Sequence, residues 1–245
     1  MNNEGLIISS FKSKGPENMS MDEMLLRFVM ERSNLSFAIR IYTWEGNWLS
    51  IGKNQKEIPN KWIDLHKLGK IKLVKRPSGG GAVLHNKGLT YSLAWSDPPR
   101  KRQQAYLQAS KWLQQAFRKV NIELDFGNDL TTSIEENCFN SATCADLIDK
   151  SGNKRVGSAQ LWRHGHLMQH GEILMNPEEE LWFEVFKEKP PNNLGLNLNS
   201  NKLEKILLES AKESWPNLKW CRYSFTEEDL KEIKRNNYKY NYLIV

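Results

Sequence analysis

The sequence of 245 residues contains few cysteines and no long hydrophobic run. No apolar stretch approaches the roughly 18 residues that a membrane-spanning helix needs, and the polar first residues lack the apolar core and cleavage site of a secretory signal. The three cysteines are an odd number without the spacing of a disulfide framework. We therefore expect a cytoplasmic protein with no membrane partner, no structural disulfides and a thiol that is free to react.

Acidic residues are fewer than basic ones, 29 against 35, which gives a formal net charge of +6 and a pI of about 9.1. This balance favours acidic partners. The basic residues are scattered, however, and the sequence contains no nucleic-acid-binding motif. We expect no binding to nucleic acid, and a monomer whose residues 1–245 form a single domain with a full hydrophobic core.

Hydrophobic spacing alternates between that of helices and that of strands. Ser20 and Glu23 have the spacing of a capping box before a helical pattern, and a second helical pattern covers residues 103–120. Residues 37–44 and 49–52 predict a strand hairpin, and residues 146–175 predict a strand pair with its turn at 163–166. The fold class is therefore α+β, with a mixed, mainly antiparallel sheet flanked by helices. We expect a mobile loop at 192–201 and a helical C-terminal extension at 202–245.

Three consecutive glycines, Gly79, Gly80 and Gly81, stand between two strand-like runs. Glycine at positive φ lets a ligand lie against the backbone. Arg76 stands three residues before the glycines and His85 four residues after them, so a cation and an imidazole flank a patch of backbone N–H groups. Such a patch suits a phosphate, carboxylate or thioester oxygen. The loop is neither a Walker loop nor a dinucleotide fingerprint, and a bulged hairpin without function is the alternative.

Cys138 lies at the end of a polar, loop-like run, ahead of a short hairpin whose returning strand begins near Lys154. An ammonium group close to a thiol favours the thiolate, which is the nucleophilic form. Lys154 is the candidate for that ammonium. The alternatives are a cysteine buried as a small apolar residue and a solvated turn lysine. Cys144 lies inside an apolar pattern and is expected to be buried.

Histidines in the following segment have strand spacing, and they are His164, His166 and His170. Together with Cys138 or Cys144 they form a candidate zinc site. Gly165 predicts a turn that breaks the strand, however, and no acidic residue has ligand spacing, so we expect no metal. His170 is better explained as a polar group that lines a pocket or as a hydrogen-bonded core histidine.

Residues 75–92, KRPSGGGAVLHNKGLTYS, resemble the arginine, triple-glycine and histidine segment of the lipoate-protein ligase A and cysteine-dependent octanoyltransferase family, within the biotin/lipoate ligase (class II synthetase-like) superfamily. Other segments resemble the family in its own order: NMSMDEMLL its first helix, RIYTWEGNWLSIGKNQ its first hairpin, NKRVGSAQ its lysine motif and LMQHGEILM its Gln-His-Gly strand. Together they span residues 18–176. Biotin ligases share the fold but resemble a different Gly-Arg-Gly-Arg loop, which is absent.

The resemblance implies a mixed sheet flanked by helices, with an acyl chain bound at the glycine loop. It also implies transfer of the acyl group to a lysine of a lipoyl domain of a 2-oxoacid dehydrogenase or of glycine cleavage H protein. The residues that it implies in catalysis are Cys138 and Lys154. The residues that it implies in substrate binding are Arg76, Ser78, Gly79, Gly80, Gly81, His85, Gly157, Ser158, Ala159, Gln160 and His170.

The family includes two reactions. Lipoate ligases activate a free acid with ATP and magnesium, typically show an Asn-Asp pair before the lysine strand and carry an extra C-terminal domain. Cysteine-dependent octanoyltransferases take octanoate from acyl carrier protein through a thioester, need no cofactor and have a Cys-Phe pair before the lysine motif. The pair Cys138-Phe139 and the short stretch after Met175 favour the octanoyltransferase.

Other residues depart from the octanoyltransferase pattern. Asn128-Asp129 preserves the pair typical of ligases, Cys144 replaces an aromatic residue and Trp162 replaces a polar or basic one. Three functions therefore stay open. They are an octanoyl (or lipoyl) transferase that acts through a Cys138 thioester, an ATP-dependent lipoate ligase, and a non-catalytic protein that binds acyl groups or lipoyl domains.

Overall fold

The computed structural model describes residues 3–127, 137–139, 142–143, 145–192 and 200–242. The strands in these residues are β1 Glu4–Ile8, β2 Lys12–Ser13, β3 Leu35–Trp44, β4 Trp48–Ile51, β5 Lys72–Lys75, β6 Val83–His85, β7 Leu89–Trp95, β8 Asp125–Phe126, β9 Leu147–Ile148, β10 Lys154–Arg163, β11 His166–Ile173 and β12 Lys219–Tyr223. The helices are α1 Gly15–Glu31, α2 Asn60–Lys67, α3 Arg102–Arg118, α4 Glu179–Phe186, α5 Ser200–Ser214 and α6 Glu227–Asn236, followed by a 3₁₀ helix, Asn237–Tyr240. None of these helices is long and apolar enough to cross a membrane.

Most of the described strands belong to one large sheet, in the order β12-β1-β3-β7-β11-β10-β9-β8, with β2 also paired to β3. The strands β12, β1 and β3 run parallel to each other. From β3 to β8 every pairing is antiparallel. The mixed, mainly antiparallel sheet flanked by helices is therefore confirmed, and the predicted strand pair in residues 146–175 is β10 and β11.

Alternation along β3 separates the two faces of the large sheet. Phe37, Ile39 and Ile41 pack in one hydrophobic cluster with buried residues of α3 and α5. Ala38 belongs to a second cluster, which is formed mainly by α1. Because side chains alternate between faces, Arg40 lies on the α1 face. The face under α1 thus carries charged residues in the middle of the sheet, and it is where the site described below is built.

The first helix begins at Gly15 rather than near Ser20. Pro16 stands in its first turn, where a missing backbone N–H breaks no intrahelical bond. Ser20 is not a cap, since its hydroxyl donates to the carbonyl of Ile233 at 3.1 Å. The predicted capping box of Ser20 and Glu23 was therefore wrong, because the residues before Ser20 are already helical.

Residues 37–44 and 49–52 do not form the predicted hairpin. Strand β3 belongs to the large sheet, whereas β4 pairs with β5 and β6 in a separate three-stranded sheet. The connection crosses from one sheet to the other through Gly46, at φ +88°. The small sheet places the triple-glycine loop between β5 and β6, as the sequence predicts.

The segment 202–245 is only partly the predicted helical extension. Strand β12 pairs in parallel with β1 at one edge of the large sheet. Helix α6 does begin with a capping box, in which Thr226 accepts from the backbone N–H of Asp229 and the Asp229 side chain accepts from the backbone of Thr226. Residues 193–199 of the predicted mobile loop lie outside the described residues.

Candidate active site

The glycine loop between β5 and β6 is held in place by Arg76. Its Nη2 donates to the carbonyls of Gly79 and Gly81 at 2.8 and 2.6 Å, and its Nη1 donates to the carbonyl of Ser50 at 2.8 Å. Burial lowers the pKa of Arg76, and the negative charge of an ionised Cys138 opposes this effect. Arg76 therefore holds the loop in its conformation through hydrogen bonds to the carbonyls of Gly79 and Gly81.

Two glycines, one in the loop and one opposite it at the end of β4, stand where a side chain would not fit. Gly80 has φ +96°, a conformation that other residues rarely adopt. Across the loop, a Cβ added to Gly52 would lie 2.0 Å from the carbonyl oxygen of Gly80. The loop thus packs backbone against backbone at the end of β4.

Below the loop, Asp22 of α1 joins three side chains of the sheet. Its Oδ1 lies 3.1 Å from Nη1 of Arg40, and its Oδ2 accepts from the hydroxyl of Tyr42 at 2.8 Å and from Nδ1 of His170 at 2.9 Å. The other ring nitrogen of His170, Nε2, lies 2.6 Å from the hydroxyl oxygen of Ser78. All five side chains are buried. A continuous hydrogen-bonded chain therefore connects the sheet to the glycine loop.

A second chain of buried polar groups runs through His85. Its Nδ1 donates to Glu172 at 2.8 Å, and its Nε2 lies 2.8 Å from the hydroxyl of Ser50. Burial lowers the pKa of His85, against the opposing effect of Glu172, so Nε2 of the neutral ring accepts from Ser50. The ring of Trp44 stacks on His85 at 3.9 Å, and Thr90 donates to Glu172 at 2.5 Å.

Cys138 and Lys154 meet at the edge of the glycine loop. The backbone N–H of Cys138 donates to the carbonyl of Ala82 at 3.0 Å, which fixes the cysteine beside β6. Nζ of Lys154 lies 3.5 Å from Sγ of Cys138, 2.6 Å from its carbonyl oxygen and 3.0 Å from Oδ2 of Asp146. A Cβ at Gly157 would lie 2.9 Å from Cε of Lys154, so this glycine leaves room for the lysine. A buried ammonium, held by a carboxylate, therefore contacts a half-buried thiol.

The Gly-Ser-Ala-Gln stretch of β10 is anchored by bonds on both sides. The backbone N–H of Ser158 donates to Asp146 at 3.0 Å, and its hydroxyl lies 2.7 Å from that of Tyr91. Burial raises the pKa of Tyr91 well above its ordinary value, so its phenol stays protonated. The side-chain amide of Gln160 donates to the amide oxygen of Gln169 at 2.8 Å.

A narrow cavity of about 30 Å³ lies among these groups. It is lined by Met19, Tyr42, Trp44, Ser50, Arg76, Val83, His85, Thr90, Cys138, Gly157, Ser158, Ala159, His170, Gly171 and Glu172. Seven of the predicted site residues line it, namely Arg76, His85, Cys138, Gly157, Ser158, Ala159 and His170. Ser78 and Lys154 do not line the cavity themselves. Ser78 bonds to His170, and Lys154 contacts Cys138, and both of these partners line it. The predicted binding residues Gly79, Gly80, Gly81 and Gln160 do not line the cavity.

The histidine-based zinc site does not form in the described residues, which contain no group of three or more metal-ligating side chains. His164 lies in the turn between β10 and β11, at φ +49°, and is exposed, whereas His170 is buried and bonded to Asp22. The turn at Gly165 therefore separates the histidines, as the sequence suggests. Cys144 lies outside the described residues.

Sequence reasoning missed four charged residues that shape the site: Asp22, Arg40, Asp146 and Glu172. Each stands within a run of apolar residues or in the middle of a secondary-structure element, and each is buried. Buried charges are normally paired, so an isolated charge in an apolar pattern is itself a signal of a partner. The identity of the partner needs the fold.

Sequence comparison matches residues 14–210 to the family described as lipoyl protein ligase A/B catalytic domain. The chain belongs to this family. Octanoyltransferase LipM of Oceanobacillus iheyensis is 36% identical over 177 residues, which cover 69% of this chain and 63% of that relative. For octanoyltransferase LipM of Geobacillus kaustophilus the coverage is 69% and 65%, so the chain spans less than two thirds of both relatives. Octanoyltransferase LipM of Anoxybacillus flavithermus is 31% identical over 257 residues, with 91% of each chain covered.

Solved structures of the family share the fold. A T. acidophilum structure with bound lipoic acid aligns with a TM-score of 0.81 and 18% identity, and covers 98% of this chain and 96% of its own. A lipoate-protein ligase A structure bound with ATP aligns with a TM-score of 0.79 and 17% identity, and covers 98% and 95%. These likenesses establish the lipoate-ligase catalytic fold of this chain.

Proposed function

We propose that the protein is an acyltransferase of lipoate metabolism. It moves an octanoyl (or lipoyl) group from acyl carrier protein, through a thioester on Cys138, to a lysine of a lipoyl domain or of glycine cleavage H protein. The observation that carries this proposal is the 3.5 Å contact between Sγ of Cys138 and Nζ of Lys154 at the wall of the cavity. The relatives named octanoyltransferase LipM support transfer of an octanoyl group.

In the first half-reaction, Cys138 acts as the nucleophile. Its thiol gives its proton to water, and the ammonium of Lys154 stabilises the thiolate. The sulfur attacks the thioester carbonyl of the donor, the new C–S bond forms, and the bond to the carrier sulfur breaks. The carrier thiolate leaves and takes a proton from water. One thioester replaces another, so this step needs no ATP.

In the second half-reaction, the neutral amine of the acceptor lysine attacks the octanoyl thioester on Cys138. A C–N bond forms, the C–S bond breaks, the nitrogen releases a proton to water and Cys138 returns as the thiolate. Both half-reactions pass through an oxyanion. The backbone N–H of Cys138 is bonded to Ala82, so we assign stabilisation of the oxyanion to Lys154 and the glycine loop.

The other predicted site residues would bind the substrate. The narrow cavity would take the acyl chain, with Gly157, Ser158 and Ala159 on one wall and Arg76, His85 and His170 on another. Gly79, Gly80, Gly81 and Ser78 would act from behind this wall, because Arg76 bonds to the loop carbonyls and His170 bonds to Ser78. An eight-carbon chain requires this cavity to widen. Met19 lines it, and a methionine with three rotatable bonds adapts readily to a new shape.

Charge and topology support the choice of partners and a single catalytic domain. The net charge of +6 favours acidic proteins as partners, and acyl carrier proteins and lipoyl domains are typically acidic.

We propose that residues 1–245 act as one catalytic domain, because β12 pairs with β1 and thereby joins the C-terminal region to the catalytic sheet.

The proposal is tested by acyl transfer to an isolated lipoyl domain, with octanoyl acyl carrier protein as donor and no nucleotide present. Transfer to the acceptor lysine, detected as an octanoyl mass increase on the lipoyl domain, is the expected result. Transfer that requires free octanoate and ATP would instead establish the ligase. The ATP-dependent ligase is the second candidate function, because a lipoate-protein ligase A of the same fold binds ATP.

A further inference from the structure

The positive charge of the chain is concentrated in one short segment. Residues 53–75 contain seven lysines and two acidic residues, Glu57 and Asp64, so this segment has a formal net charge of +5. The whole chain has a formal net charge of +6. The rest of the chain is therefore close to neutral, and any attraction to an acidic partner arises mainly from residues 53–75.

The fold places part of this segment at the edge of the glycine loop. Helix α2 connects two parallel strands, β4 and β5. The residues after α2 lie beside the start of β4, where the side chain of Asn47 donates to the carbonyl of Lys70 at 3.3 Å. The residues between β4 and α2 therefore lie at the opposite edge, where both strands end and the glycine loop begins. This edge carries Lys53, Lys56 and Lys75, which we call the basic edge.

Backbone hydrogen bonds hold the basic edge against the glycine loop. The N–H of Lys53 donates to the carbonyl of Ser78 at 2.8 Å. The N–H of Gln55 donates to the carbonyl of Gly52 at 3.0 Å, which closes a turn and keeps Lys56 close to Lys53. The positions of these lysines beside the loop are therefore fixed by the main chain.

The charges of the basic edge are available to a partner. Lys53 and Lys56 are exposed, and Lys75 is half-buried. None of the three forms an ion pair with another of the described residues. Lys70, at the other end of α2, is by contrast paired with Glu184 at 2.5 Å. The basic edge thus presents uncompensated positive charge next to the candidate active site.

We propose that the basic edge is the docking surface for the acyl carrier protein that donates the acyl group. This inference rests on the proposed function. Acyl carrier proteins are typically acidic, so their surface is complementary in charge to the basic edge. Such complementarity accelerates association and fixes the orientation of the partners.

The position of the basic edge fits the donor better than the acceptor. Lys53 is bonded to Ser78 at one end of the glycine loop, and Cys138 is bonded to Ala82 at the other end. These two ends are at most about 14 Å apart, the span of four extended residues. A carrier protein presents its thioester on a long flexible arm and can dock beside the thiol. An acceptor lysine has a short side chain, so a lipoyl domain must dock directly over Cys138.

The test measures the second-order rate constant for acylation of Cys138 by octanoyl acyl carrier protein at low ionic strength. In the charge-reversed variant Lys53→Glu with Lys56→Glu this rate constant should fall at least about tenfold, because attraction between the two proteins becomes repulsion. Acylation by octanoyl-pantetheine, which has the arm but no carrier protein, should be unchanged. Added salt should reduce the difference between the wild-type protein and the variant.

The matched control is Lys205→Glu with Lys212→Glu, which makes the same change of net charge at exposed positions of α5. It should lower the rate constant with the carrier protein by less than about twofold. An equal loss in this control would show an effect of net charge alone and overturn the inference. An undiminished rate in the charge-reversed variant would do the same, and so would an equal loss with octanoyl-pantetheine.

The acceptor is tested separately, by transfer from octanoyl-Cys138 to a lipoyl domain. The charge-reversed variant should transfer at the wild-type rate. Slower transfer together with undiminished acylation would assign the basic edge to the acceptor and overturn the inference.

Acylation by octanoyl-pantetheine also tests the proposed function independently of docking. If neither donor acylates Cys138, the proposed function fails, and calorimetric titration with the acyl carrier protein decides the inference. Binding that charge reversal weakens at least about tenfold would uphold the docking surface. Absent binding, or equal affinity of the wild-type protein and the variant, would contradict it.

Discussion

In the sheet half of the site, Asp22, Arg40 and His170 lie on a helix and on central strands, and each is buried and bonded to another. In the thiol half, Cys138 lies on a short segment that β6 holds through one backbone bond to Ala82 and that Lys154 contacts from β10. Groups on regular elements are held more precisely than groups on loops. The sheet half is therefore expected to govern stability, and the thiol half to govern reactivity.

The largest expected effect comes from the thiol half. Cys138→Ala should lower octanoyl transfer at least about a thousandfold, because it removes the nucleophile of the proposed reaction. It should change the free energy of unfolding by no more than about 1 kcal/mol. Cys221→Ala, which removes a half-buried thiol from β12, is the control and should retain full transfer. Comparable loss of transfer in the two variants would contradict the assignment of Cys138.

Lys154 contacts the thiol of Cys138 and also pairs with the buried carboxylate of Asp146, so its replacement should affect both reactivity and stability. Lys154→Met should lower transfer about a hundredfold and the free energy of unfolding by about 3 kcal/mol, because it leaves Asp146 buried without its cation. The double variant Lys154→Met with Asp146→Asn should recover most of the stability and none of the transfer. Urea unfolding and the transfer assay measure the two effects, and recovery of transfer would rule out a role for Lys154 in the reaction.

Asp22→Asn tests the sheet half. It should lower the free energy of unfolding by about 3 kcal/mol, because Arg40 then stays buried without a countercharge. Asp97→Asn, at an exposed position, is the matched control and should change it by less than about 0.5 kcal/mol. Similar urea midpoints for both variants would mean that the buried network does not stabilise the sheet.

The smallest effect is a pH dependence of stability that arises from His85. Burial holds the pKa of His85 below its usual 6.5, so just below pH 6.5 the unfolded chain binds a proton that the folded protein does not. Stability should therefore fall as the pH falls through this window, by at most about 1.4 kcal/mol per pH unit. His85→Gln should reduce this slope, and the exposed His164→Asn should not. An unchanged slope in His85→Gln would contradict a buried neutral imidazole.

The sequence was sufficient to predict the α+β class, the glycine loop between two strands and the strand pair β10 and β11, because each has a local pattern. The chemistry of a thiol beside an ammonium predicts the pair Cys138 and Lys154, the family resemblance predicts the same pair, and the structure brings the two side chains into contact. The location in the cell and the monomeric state stay predictions.

The errors have a common physical cause, which is that partners far apart in the chain leave no local pattern. Strand β12 is only partly buried and pairs with β1, more than 200 residues away. The bonds from Asp22 to His170 and from His85 to Glu172 also join distant segments. The closeness of β3 and β4 in the sequence predicts a hairpin, but the two strands belong to different sheets.

The central claim is that Cys138 carries the acyl group, and intact-protein mass spectrometry tests it most directly. The protein is mixed with octanoyl acyl carrier protein in the absence of ATP. We predict a mass increase of one octanoyl group that hydroxylamine removes and that Cys138→Ser prevents. No increase with this donor, together with activation of free octanoate when ATP is added, would contradict the thioester mechanism and establish an ATP-dependent ligase.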